Sequence, residues 1–89
     1  FDSNAGTLSP LQYKEFVFPY LVELIELVKA KTDAPIIYFA PTASGLLPLQ
    51  SQLPISCFSI DWRTSLSNAK GHLPNAKCLQ GNLDPEALK

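Results

Sequence analysis

Residues 35–40 read Pro35-Ile36-Ile37-Tyr38-Phe39-Ala40, and the fold class turns on what kind of strand they make. The run is short, apolar and rich in β-formers, without the polar alternation of a strand that has one face in water. Such a strand is expected to be buried on both faces, the usual condition in a parallel sheet. Two later stretches read as further strands, Ile55-Ser56-Cys57-Phe58-Ser59-Ile60 and Ala76-Lys77-Cys78-Leu79-Gln80. Strands are therefore expected at about 35–40, 55–60 and 76–80.

Helical signals lie between and before them. Ser9-Pro10-Leu11-Gln12 reads as a helix start, with Ser9 as N-cap, Pro10 at the first position and Gln12 closing a capping box. Apolar residues then recur at Tyr13, Phe16, Val17, Tyr20, Leu21, Leu24, Leu27 and Val28, the spacing of one helical face. Pro19 falls inside this pattern and removes a backbone hydrogen bond, so a kink or two abutting helices are expected. Lys29 and Lys31 suit the negative end of the helix dipole. A short helix is expected through Leu46, Leu47, Leu49 and Gln50. Another should start at a Thr64 or Ser65 cap, run to about Lys70 and stop at Gly71. Repeated strand–helix units imply a parallel α/β sheet. No repeat, low-complexity tract or linker divides residues 1–89, so one domain is expected.

Both ends read as interrupted elements. Phe1-Asp2-Ser3 looks like the end of a strand, and Asp84-Pro85-Glu86 announces a helix only three residues before Lys89. The sequence also contains no Met and opens on Phe1. The expectation is a segment of a longer α/β protein.

Composition narrows the partners. A formal charge of -1 with interspersed signs provides no basic face for nucleic acid or anionic membrane. No apolar stretch approaches the roughly 18 residues of a membrane span, and no signal-peptide pattern is present. Cys57 and Cys78 lack the CxxC spacing of redox and zinc sites. They read as two buried, reduced thiols, in keeping with a cytoplasmic protein.

The chemistry-bearing polar residues share one location. Asp2 and Ser3, Thr42 and Ser44, Asp61 and Arg63, and Asn82 and Asp84 all follow the C-terminal ends of strands, where α/β proteins build their sites. The opposite connections, Thr32-Asp33-Ala34 and Leu53-Pro54, are plain. Helix caps also require such residues there, so the pattern is an orientation rather than a motif. No glycine-rich nucleotide loop, nucleophile elbow or metal-binding helix is present. His72, the only imidazole, is expected at the opposite end, in a surface or capping role.

Three segments in register carry a family resemblance. Phe1-Asp2-Ser3-Asn4-Ala5-Gly6, Leu8-Ser9-Pro10 and Phe16-Val17-Phe18-Pro19-Tyr20-Leu21 resemble the FDSWAG…LSP…EFVLPYL stretch of uroporphyrinogen decarboxylases. Ile60-Asp61-Trp62-Arg63 is similar to that family's LDWR segment. Leu79-Gln80-Gly81-Asn82-Leu83-Asp84-Pro85 is similar to its LQGNLDP segment. The resemblance spans the chain, and it implies a (β/α)8 TIM barrel of which residues 1–89 are a partial domain from the C-terminal half.

It further implies cofactor-free decarboxylation of the four acetate arms of uroporphyrinogen III to coproporphyrinogen III, with neither metal nor organic cofactor. The complete protein would be a cytoplasmic homodimer acting on a small-molecule tetrapyrrole. Of the family's site residues only Ser3 is matched, as a hydroxyl that hydrogen-bonds substrate. The catalytic Asp, the RQAGRY loop and the NLGHG segment are absent, so no catalytic residue is assigned here and His72 does not inherit that role. Asn4 stands where the family has Trp or His, and Pro41-Thr42 where it has Lys-Gly or Lys-Asp; both lie on the expected site rim. The alternatives are a corrinoid-dependent methyltransferase of the same barrel superfamily, which would need a zinc site, and an inactive stand-alone fragment.

Overall fold

A computed structural model describes residues 1–41 and 43–88. A 3-10 turn, Ala5–Thr7, leads into helix α1, Pro10–Phe16, which abuts helix α2, Phe18–Lys31. Strand β1, Ile37–Phe39, is followed by a 3-10 turn, Ser44–Leu46, and the short helix α3, Leu47–Gln50. Strand β2, Cys57–Ser59, helix α4, Leu66–His72, and strand β3, Cys78–Gln80, come next, and a 3-10 turn, Pro85–Leu88, closes the described chain.

Local signals account for most of these boundaries. The Ser9 hydroxyl accepts from the Gln12 N–H, and the Gln12 side chain accepts from the Ser9 N–H, completing the capping box of α1. The expected break near Pro19 is a junction of two helices at Val17, with Pro19 in the first turn of α2, where its missing N–H does no harm. Ser65 caps α4 by accepting from the Asn68 N–H. Gly71, expected as the stop of this helix, instead lies within it. The helix runs on to His72 and ends at Leu73, whose N–H still bonds the Ala69 carbonyl and whose side chain is 1% exposed. Burial of Leu73 decides this end, and no left-handed glycine is required there.

The sheet order is β1-β2-β3, parallel throughout. Register pairs are Tyr38 with Phe58 and Phe58 with Leu79, flanked by Ile37–Cys57–Cys78 on one side and Phe39–Ser59–Gln80 on the other. The chain start extends this sheet: the Asp2 N–H donates to the Phe39 carbonyl at 2.8 Å, and the Phe1 ring meets Phe39 edge-on. It forms no strand of its own within the chain, however.

Side chains alternate across a parallel sheet. Tyr38, Ala40, Phe58 and Ile60 are buried, among helical residues that include Tyr13, Ile25, Leu47, Ala69 and Leu73. On the other face Ile37, Cys78 and Gln80 are exposed, and Phe39, Cys57 and Ser59 are partly so. The strands were expected to be buried on both faces; within this chain only one face is covered, its residues clustering with those of the helices while Ile37, Cys78 and Gln80 stay exposed. The same geometry corrects the cysteines. Cys57 is half-buried but Cys78 is exposed, since both lie on the open face at paired register positions.

Candidate functional site

The parallel strands set the C-terminal ends of β1, β2 and β3 along one edge of the sheet. Ser3, Asp61 and Asn82 lie at that edge, each just past the end of an extended segment. Thr42, expected beside them, lies outside the described residues. His72 is the last residue of α4, which runs back from that edge towards the start of β3, so it is exposed at the opposite end.

The β2–β3 side of the edge is fastened by Asn82. Its Nδ2 donates to the Thr64 carbonyl at 2.6 Å and to the Asp61 carbonyl at 3.3 Å, tying the loop after β3 to the loop after β2. Gly81 makes this approach possible. Its φ of 117° lies in the left-handed half of the map, and a Cβ there would collide with the Ile60 carbonyl oxygen. Asp61 holds its own loop: its carboxylate accepts from the Arg63 N–H at 3.0 Å and from the Arg63 guanidinium at 2.7 Å. That guanidinium also stacks over the Trp62 ring, 4.0 Å from its centroid. Arg63, the only arginine of the sequence, is thus already engaged by an acid. Gln50 is buried beneath this edge and, with Ser59, Asp61 and Thr64, lines a small cavity.

The β1 side has a different construction. Tyr38 Oη donates to Asp2 Oδ2 at 3.1 Å, and Tyr13 Oη lies 2.9 Å from Tyr38 Oη. Tyr13 is wholly buried and Tyr38 nearly so. Burial pushes both phenols above their ordinary value, and for Tyr38 the bond to Tyr13 and the charge of Asp2 act in the same direction. Ser3, the next residue after Asp2, is exposed. Among the described residues, no hydrogen bond joins Ser3 to Asp61 or Asn82.

The sequence placed Asp2, Ser3, Asp61 and Asn82 at one edge, and the structure does the same. It did not single out the tyrosine pair. In the sequence Tyr13 and Tyr38 are two more members of apolar patterns. The available signal was that a buried tyrosine hydroxyl needs a partner, and that Asp2 is the acid at the neighbouring strand end. Among the described residues, no group of three or more His, Cys, Asp or Glu side chains could hold a metal ion, and no helix is long and apolar enough to cross a membrane.

Comparison with known proteins completes the description. A family model described as uroporphyrinogen decarboxylase (URO-D) matches residues 1–89. Proteins named uroporphyrinogen decarboxylase from Staphylococcus aureus strains USA300 / TCH1516, JH9 and Newman are each 43% identical to this chain over 88 residues. The match covers 99% of this chain and 25% of each relative, so the chain spans about a quarter of their length.

Proposed function

Because this chain belongs to the uroporphyrinogen decarboxylase family, we propose that it is one sector of a (β/α)8 barrel whose complete form decarboxylates the acetate arms of uroporphyrinogen III. Residues 1–89 supply a strand end and the three strand–helix units that follow. The observation that carries this reading is 43% identity over 88 residues, 99% of the chain.

The structure supports it physically at two places. One sheet face is packed under helices while the other is left open with Ile37 48% exposed, as the wall of a barrel would be once separated from its remainder. Beside β1, an apolar groove of about 320 Å³ between α2 and the sheet is lined by Leu24, Ile25, Val28, Ile36 and Ile37. The preceding helix and strand of a barrel would occupy that groove. An exposed sheet edge and apolar face of this kind require a cover.

In this reading the pyrrole itself is the electron sink. Protonation of the ring beside an acetate arm makes it iminium-like, and the electrons of the breaking C–C bond flow into it as carbon dioxide leaves. The methylene so formed then takes a proton to become a methyl group, and the ring gives up the proton it gained. No metal or organic cofactor enters the step. The acid and the cationic residues that hold the carboxylates belong to the rest of the barrel, and the complete protein works as a cytoplasmic homodimer. From this sector Ser3 reaches the substrate, its hydroxyl donating to a carboxylate arm. A charge-assisted bond of this kind contributes about 1–3 kcal/mol. Ser3→Ala in the complete protein is expected to raise KM for uroporphyrinogen about 5- to 150-fold, the range that 1–3 kcal/mol represents at about 1.4 kcal/mol per factor of ten. Unchanged KM and kcat would reject the role of Ser3.

A further inference from the structure

The tyrosine pair has no part in the chemistry proposed above, yet it is the most deeply buried polar arrangement next to Ser3. Tyr38 has one hydroxyl hydrogen, and it is directed at Asp2 Oδ2. Its 2.9 Å bond with Tyr13 must therefore be donated by Tyr13. The bonds run in one direction, from Tyr13 on α1 through Tyr38 on β1 to Asp2. The backbone of Asp2 is tied as well, through its N–H to Phe39 at 2.8 Å and its carbonyl to the Ala5 N–H at 3.4 Å. Asp2 is thus held by its side chain and by both backbone groups, from strand β1 and the following turn, with Tyr13 of α1 bonded behind Tyr38. Ser3, one residue on, is exposed.

We propose that Tyr13, Tyr38 and Asp2 form a positioning chain for Ser3, fixing the residue before it by holding the Asp2 side chain on the helix-covered side of the sheet. This rests on the reading of Ser3 as a substrate contact. The physical need is plain. A hydroxyl contributes to binding only if its backbone is held in place beforehand. Tyr38→Phe removes the bond to Asp2 while keeping the ring in the core. Tyr13→Phe removes only the outer bond.

The test uses the complete protein, with steady-state kinetics on uroporphyrinogen and thermal unfolding for each variant. Tyr38→Phe is expected to raise KM about fivefold with kcat changed less than about twofold, the signature of lost binding shared by ground and transition states. Tyr13→Phe should shift KM in the same direction by a smaller factor. In a Ser3→Ala background Tyr38→Phe should add less than about twofold, because its effect passes through Ser3. Asp2→Asn, which keeps a carbonyl acceptor for Tyr38, should stay near the wild-type KM, whereas Asp2→Ala should match Tyr38→Phe. If Tyr38→Phe does not fold, the two Asp2 variants carry the same comparison. An equal rise in KM with and without Ser3, or none in either Tyr38→Phe or Asp2→Ala, overturns the positioning chain and leaves Ser3 as a contact. An unchanged KM in Ser3→Ala alone removes the contact, and the positioning chain with it.

Discussion

The two faces of the three-stranded sheet are built from alternate residues of the same strands, yet they have opposite fates. Tyr38 and Phe58 face the helices and are 7% and 2% exposed, whereas Ile37, the residue before Tyr38, and Cys78, the register partner of the Cys57 that precedes Phe58, are open. The open face is nevertheless not a water-facing one. Ile37, Phe39 and the two cysteines are poor choices for a solvated surface, and only Ser59 and Gln80 are polar. A sheet meant to show one face to water alternates apolar with polar. This one alternates buried residues with a second set that is mostly apolar, which teaches that the second face suits a cover that residues 1–89 do not supply.

The sharpest way to probe the covered face is Phe58→Ala, which removes a large side chain from the closed side of the central strand. In the complete protein it should cost about 3–5 kcal/mol by chemical denaturation. A cost within the surface range of about 0.5 kcal/mol would mean that the covered face is not the structural core.

Ile37→Ala separates the two accounts of the open face. If the face looks into a barrel, the substitution in the complete protein should cost about 2–4 kcal/mol, as for a buried aliphatic residue. A cost below about 0.5 kcal/mol would make it an ordinary solvent-facing surface and break the barrel reading.

The smallest effect is chemical rather than thermodynamic. Cys78 is exposed in this chain, with its thiol raised above the ordinary value chiefly by the charge of Cys57. Less thiolate is then present at neutral pH, so alkylation of the 89-residue chain should be slow and should accelerate as pH rises. In the native complete protein the same thiol should be protected at every pH at which the protein stays folded. Equal labelling of both forms would leave the open face uncovered in the whole molecule.

Much of this architecture was legible in the sequence because local chemistry enforces it. Ser9 and Gln12 specify a helix start whatever surrounds them, and Pro19 forces the junction at Val17. The run at 35–40 lacks the polar alternation of a one-sided sheet, and the strands at 37–39, 57–59 and 78–80 are parallel. What the sequence did not reveal depends on tertiary contacts. Gly71 looked like a helix stop, but Leu73 is pulled into the core and carries the helix past it. Cys78 looked buried, because a strand reads as buried on both faces when only its residue types are known. The bond from Tyr38 to Asp2 joins residues 36 apart, a separation at which periodicity says nothing. The edge that carries Ser3, Asp61 and Asn82 was legible because residues following parallel strands must lie at one end of the sheet.

The central claim is that this chain is one sector of a decarboxylase barrel, with the acid and the cationic residues contributed by the remainder. It is tested most directly by incubating the purified 89-residue chain and the complete protein separately with uroporphyrinogen, then oxidising and separating the porphyrins by chromatography. The account predicts coproporphyrin from the complete protein and none from the chain alone above a boiled control. Coproporphyrin formed by the chain alone, or no turnover by the complete protein, would contradict it.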